Sequence, residues 1–242
     1  MVGIGIRISQ MTVNTNLLEF TTRTQAAGTA AGLVAKSIQT RLDEQQDCSI
    51  VVSGGSTPGP CFDRLSMMPL EWSEVTVIPS DERWVPPDHP DSNERLIRER
   101  LLVNQASAGH MLPLFREGVD VSEAVSLVRQ DLAALAGPTR CALIGMGEDG
   151  NFASLFPDFG GLKQALDPGN DESCLLVDTA SSPHLRISLS LAFLLQSEKT
   201  ILLIFGEAKR RVFEAAAAGN TSYPIESLIR RCDDSLTVLW AP

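Results

Sequence analysis

Three stretches of this chain gather reactive side chains directly after apolar runs, two of them among glycines. The first is SGGSTPG (53–59). Gly54 and Gly55 let the backbone approach a ligand closely, while Ser53, Ser56 and Thr57 add hydroxyl donors. Pro58 suits the first helical position, where an N–H would lack a partner anyway. The start of that helix offers free N–H groups and a partial positive charge, which favour a phosphate. No Walker lysine is present, which argues against nucleoside triphosphate hydrolysis. A plain strand-to-helix turn uses the same residue types, so this stretch alone leaves both readings open.

The second stretch is SDERWVPPDHPDSN (80–93). Three charged residues at a strand end are unusual for a simple connector. Asp81 or Glu82 has the chemistry of an acid or base, or of a partner that orients Arg83. Arg83 can fork onto a phosphate or carboxylate. Pro86, Pro87 and Pro90 stiffen the loop, and His89 reads as a solvated loop residue. The third stretch, GMGEDGN (145–151), matches G-x-G-x-x-G literally. As a dinucleotide fingerprint it is weak, because Pro157 interrupts the helix that should follow. It reads better as a tight turn that brings Asp149 and Asn151 to the strand ends. Two cations lie farther on. Arg186 opens a strand after Pro183-His184, and Lys209 falls in the first turn of a helix after Gly206. A lysine there opposes the helix dipole, which a nearby anion would offset; solvated surface charge is the alternative.

The elements that must position these groups alternate along the chain. A helical repeat over 30–42 follows a cap at Thr22 or Thr24. Strands are predicted at 48–53, 75–80, 141–144, 174–178, 186–190, 200–205 and 235–240. Helices are predicted at 59–68, at 93–103 with Ser92 as cap, and at 121–136, 207–218 and 225–231. The stretch 157–173 reads as loop-rich. Such alternation predicts an α/β fold, an open and mostly parallel sheet with helices on both faces. Ligands in such sheets bind beyond the carboxyl ends of the strands, where all three stretches fall. No repeat or long linker divides the 242 residues, so one domain over 1–242 is expected.

Composition narrows the function. A net charge of −10 excludes a general nucleic-acid binder, although a small basic pocket remains compatible with it. The five cysteines form no C-x-x-C pair and read as buried, reduced thiols of a cytoplasmic protein. His89, His110 and His184 lack metal-ligand spacing. The opening MVGIGIRISQ is too short for a signal peptide, and no apolar run is long enough for a membrane span.

Taken together, SGGSTP, DERWVP…DSN, GMGEDGNFASLFP, PHLRISL and GEAK resemble the 6-phosphogluconolactonase family, in the same order and over about residues 26–240. The resemblance implies a modified Rossmann-like fold, related to glucosamine-6-phosphate deaminases. It implies hydrolysis of 6-phospho-D-glucono-1,5-lactone to 6-phospho-D-gluconate in the oxidative pentose phosphate pathway, with no metal or organic cofactor. The phosphate would rest on Ser53, Gly54, Gly55, Ser56 and Thr57, closed by Arg186 and Lys209, with Arg83 on the phosphate or the ring. The family usually carries a histidine, the proposed general base, where this chain has Asn151. An amide takes no proton at neutral pH. Three outcomes follow: Asp149 or Asp81 accepts the proton while Asn151 orients water, His184 or His89 reaches in, or the protein binds the sugar phosphate and turns it over poorly. An amino-sugar-phosphate isomerase is the nearest enzymatic rival. A sugar-phosphate sensor is the non-enzymatic one, although only ~20 residues precede the first helix, too few for a helix-turn-helix module.

Overall fold

The computed structural model describes residues 7–9, 16–44, 46–219, 221–232 and 235–242. The opening segment, read above as too short for a signal peptide, lies mostly outside them. In chain order the strands are β1 (Arg7–Ser9), β2 (Asn16–Glu19), β3 (Cys48–Val52), β4 (Val75–Pro79), β5 (Asp81–Arg83), β6 (His110–Met111), β7 (Cys141–Ile144), β8 (Cys174–Val177), β9 (Arg186–Leu189), β10 (Lys199–Phe205) and β11 (Leu236–Ala241). The helices are α1 (Arg23–Asp43), α2 (Gly59–Leu65), α3 (Asn93–Arg100), α4 (Val121–Ala133), α5 (Leu162–Ala165), α6 (Leu191–Leu194), α7 (Glu207–Ala218) and α8 (Pro224–Arg231).

The main sheet runs β1-β2-β11-β10-β7-β3-β4-β6. All its pairings are parallel except the edge pair of β1 with β2. The central strands are β-branched or aliphatic and fully buried, as a sheet covered on both faces requires. Strand pleating sends alternate side chains to opposite cores. Ile50 and Val52 join Leu143, Ile201 and Leu203 against α1 and α2. Val51 joins Ala142, Ile144, Leu202 and Ile204 against α4, α7 and α8. Thr22 caps α1 by accepting the N–H of Gln25 at 3.3 Å, and Asp120 caps α4 through the N–H groups of Ser122 and Glu123.

The strands expected at 174–178 and 186–190 are present but do not belong to the parallel sheet. With β5 they make a second, antiparallel sheet in the order β5-β9-β8. The charged triplet read as loop, Asp81-Glu82-Arg83, is therefore a strand, aligned so that Arg83 faces Arg186 across the ladder. Ser80 joins the two sheets, donating its N–H to the Val52 carbonyl at 2.8 Å and accepting the Leu189 N–H at 2.9 Å. Helix α2 begins at Gly59, with Pro58 as its cap residue, and is shorter than expected.

Candidate functional site

Four neighbouring parallel strands, in the order β10-β7-β3-β4, end on the same side of the sheet. They lead into Gly206 and the first turn of α7, the turn 145–151, the loop 53–58, and Ser80 with β5, so the sheet itself brings the four stretches together. Between them lies a cavity of about 290 Å³, lined by Ser53–Thr57, Asp81, Arg83, Asn93, Gly145–Gly147, Asn151–Ala153, Phe156, Arg186 and Lys209. Of the candidates named from sequence, Ser53–Thr57, Asp81, Arg83, Asn151, Arg186 and Lys209 line it, whereas Asp149, Glu82, His89 and His184 do not.

The loop after β3 is built to leave its amides free. Ser53 extends the sheet by donating its N–H to the Leu143 carbonyl at 2.8 Å. The next four N–H groups, from Gly54 to Thr57, donate to no acceptor among the described residues. Gly55 sits at φ 81°, a conformation that a side chain would strain. Gly54 is pressed against Asn93, whose side chain would collide with any β-carbon there.

Asp81 is 4% exposed and is the only carboxylate among the described residues lining the cavity. Its Oδ1 accepts the Ser80 hydroxyl at 2.9 Å, and its Oδ2 accepts the Ser154 hydroxyl at 2.5 Å. Arg186 approaches the same Oδ2 at 3.4 Å, donates to Ser182 Oγ at 2.8 Å, and lies 5.2 Å from the Phe156 ring. Burial pulls the Arg186 pKa down, and the Asp81 charge opposes that shift. Arg83 donates to the Asp91 carbonyl, while its Nε is buried without a partner. Lys209 forms no hydrogen bond or ion pair among the described residues. Burial lowers its pKa, Glu148 counteracts that, and Arg23 adds to it.

Glu82 points away from the cavity. Its carboxylate is 1% exposed and accepts the N–H groups of Arg83, Asn93 and Glu94 at 2.7, 2.8 and 2.6 Å, and the Ser92 hydroxyl at 3.0 Å. Burial pushes its pKa up, against the pull of those three amides. Glu82 thus fixes the start of α3 to β5, a role in which it orients rather than reacts. Asn93 was legible only as the opening of a helix. In three dimensions it closes one wall of the cavity and donates Nδ2 to the Asp81 carbonyl at 2.8 Å.

Asp149 is exposed, and its Oδ1 accepts the N–H of Asn151 at 3.1 Å. It braces the turn and does not line the cavity. Gly150, at φ 75°, lies against Tyr223. Ala153, also in the lining, holds φ 47°, a strained angle for a residue with a side chain. Neither His89 nor His184 lines the cavity, and His110 is on β6, bonded to the Ser73 carbonyl. Among the described residues no cluster of three histidine, cysteine or acidic groups could hold a metal ion, and no helix is long and apolar enough to cross a membrane.

Unpartnered amides, a half-buried lysine and two arginines from the small antiparallel sheet define an α/β protein with a donor-rich, cationic hollow at its strand ends. Residues 21–240 match the family described as glucosamine-6-phosphate isomerases/6-phosphogluconolactonase, and the chain belongs to that family. A 6-phosphogluconolactonase of Pseudomonas aeruginosa is 38% identical over 90% of this chain and 91% of its own length. One from Mesorhizobium japonicum is 37% identical over 92% and 94%. The crystal structure of a 6-phosphogluconolactonase from Shewanella baltica superposes with a TM-score of 0.89 at 32% identity, covering 98% of this chain and all of that one.

Proposed function

We propose that this chain hydrolyses 6-phospho-D-glucono-1,5-lactone to 6-phospho-D-gluconate in this cavity, as the lactone-opening step of the oxidative pentose phosphate pathway. The observation that carries the reading is the pairing of four free amides at 54–57 with a half-buried, unpaired Lys209 ammonium across one small hollow. A dianionic phosphate satisfies both. Each charge-assisted hydrogen bond to it contributes about 1.5–3 kcal/mol. The buried, unpartnered Arg83 Nε and the Arg186 guanidinium supply further donors to the phosphate or the ring.

With the phosphate held there, water attacks C1 of the lactone. Asp81 accepts the proton from that water, because it is the carboxylate that reaches the hollow. Asn151 orients the water through its amide, and Asp149 holds the turn that presents Asn151. The tetrahedral oxyanion draws on backbone N–H groups of the glycine turn. Collapse breaks the C1–ring oxygen bond, and the proton returns from Asp81 to the departing ring oxygen. Water thus adds across one ester bond with no net proton change at the carboxylate. The buried thiols of Cys48, Cys61, Cys141 and Cys174 support a reducing, cytoplasmic setting.

The test is continuous: purified protein, lactone and 6-phosphogluconate dehydrogenase as the coupling enzyme. Lactone opening faster than the spontaneous rate, in proportion to added protein, is the expected result. A rate equal to spontaneous opening at high protein concentration refutes the reading. Ammonia release from glucosamine 6-phosphate would instead assign the amino-sugar isomerase chemistry.

A further inference from the structure

Asp91 stands at the end of the proline-rich loop, outside the cavity, and touches three elements. Its carbonyl accepts from Arg83, forming the one hydrogen bond of that guanidinium among the described residues. Its N–H donates to His89 Nδ1 at 3.1 Å. Its carboxylate Oδ2 lies 3.0 Å from His184 Nε2. The two imidazoles meet edge to face, with centroids 5.6 Å apart. His184 is two residues before Arg186, and Arg186 is the cross-strand partner of Arg83. The Asp91–His184 contact therefore ties together the two segments that carry the paired arginines.

We propose that Asp91 and His184 form a strap that positions Arg83 for the phosphorylated sugar. The proposal rests on the lactonase reading and adds to it a pair that touches no reacting atom. His184 Nε2 stands at hydrogen-bond distance from the Asp91 carboxylate, a group that can only accept when ionised. Asp91 stays ionised through the neutral range, because the hydrogen bond to His184, helped by His89 and Arg83, holds its carboxyl below the usual range. Both partners are partly exposed, so the effect is small.

The experiment measures the dissociation constant of 6-phosphogluconate by calorimetry and kcat by the coupled assay. Wild type is compared with His184→Gln, Asp91→Asn and the double variant, each also in an Arg83→Ala background. The expected loss of affinity for each single variant is about threefold, the size a partly exposed pair gives. The double variant binds no worse than either single one, and the losses vanish in the Arg83→Ala background; kcat is preserved in all three. Unchanged affinity, additive losses in the double variant, or equal losses without Arg83 overturn the strap. Turnover by the wild type with unchanged affinity in the variants removes the strap and leaves the lactonase reading standing. A wild type that neither turns over the lactone nor binds 6-phosphogluconate removes that reading and the strap with it.

Discussion

Gly54 and Asn93 meet without room for a single carbon between them: a β-carbon on residue 54 would stand 1.9 Å from Asn93 Oδ1. The Asn93 amide is itself held by its bond to the Asp81 carbonyl. The glycine loop after β3, the start of α3 and the strand carrying the cavity's carboxylate are thus one contact chain. Its cost appears at residue 54, where only glycine fits.

Gly54→Ala is expected to destabilise the protein by about 1–3 kcal/mol, the usual cost of overpacking a buried site. Affinity for 6-phosphogluconate falls with it, because the loop amides move. Urea unfolding and calorimetry measure the two effects. Adding Asn93→Ala relieves the collision, so the double variant should recover stability but not full affinity. A Gly54→Ala protein as stable as wild type would show that the contact is slack.

The cysteines give a pH-dependent prediction. Burial pushes Cys48 and Cys174 up to about 11 and Cys61 to about 12, and Cys141 rises as well. The folded state therefore favours the neutral thiols. That contribution is complete below the unfolded thiol value of 9.0 and is lost as pH climbs toward about 11. The melting temperature should fall over that window, and a disulfide-forming reagent should label the native protein far more slowly than the unfolded chain near pH ~8. Fast native labelling would contradict the burial.

Much of the site was legible because glycines, hydroxyls and charges following apolar strands have a short-range meaning, and parallel strands send their outgoing loops to one edge. SGGSTP and Lys209 needed only that rule, whereas Arg186, which opens β9 of the antiparallel sheet, came with the family resemblance. What escaped was set by distant pairing. Asp81-Glu82-Arg83 is too short and too polar to announce a strand, and it becomes one only because β9, about a hundred residues later, supplies the ladder. Asn93 looks like any helix opening until Gly54 is placed beside it. Asp149 suggested chemistry because it sits in a glycine turn, but a side chain there also reaches the amide two residues on, and that local bond is the one it makes.

Lys209 should act on binding more than on chemistry. The ammonium is half-buried and lacks a hydrogen-bond or ion-pair partner among the described residues, so an anion beside it would offset its desolvation. Lys209→Met removes the charge and keeps the stem. Losing about 1.5–3 kcal/mol of charge-assisted bonding raises KM roughly ten- to hundredfold. The effect on kcat should be much smaller. Raising salt should narrow the gap between variant and wild type, since screening weakens the missing attraction. An unchanged KM would take Lys209 out of the phosphate site.

Asp81 and Asn151 divide the question of the proton. If the buried carboxylate accepts it, Asp81→Asn should lower kcat by about 10²–10⁴, the range for loss of a general base. Binding of 6-phosphogluconate should survive, since the phosphate donors remain. The exchange is nearly isosteric and keeps an oxygen for Ser154 and Arg186, so circular dichroism should report an intact fold. Asn151→His then becomes the informative counterpart. With Asp81 already in place, a second base at residue 151 has no proton left to take in the attack step, and kcat should stay within about threefold of wild type. A gain above tenfold, worth about 1.4 kcal/mol of barrier, would mean that the native site runs without an effective base and that Asp81 serves only to hold Ser154 and Arg186. The same substitution in an Asp81→Asn background separates the cases further: if Asp81 is the base, an imidazole at residue 151 should raise kcat there by more than about tenfold while leaving the wild-type background nearly unchanged, whereas a similar gain in both backgrounds takes the proton away from Asp81.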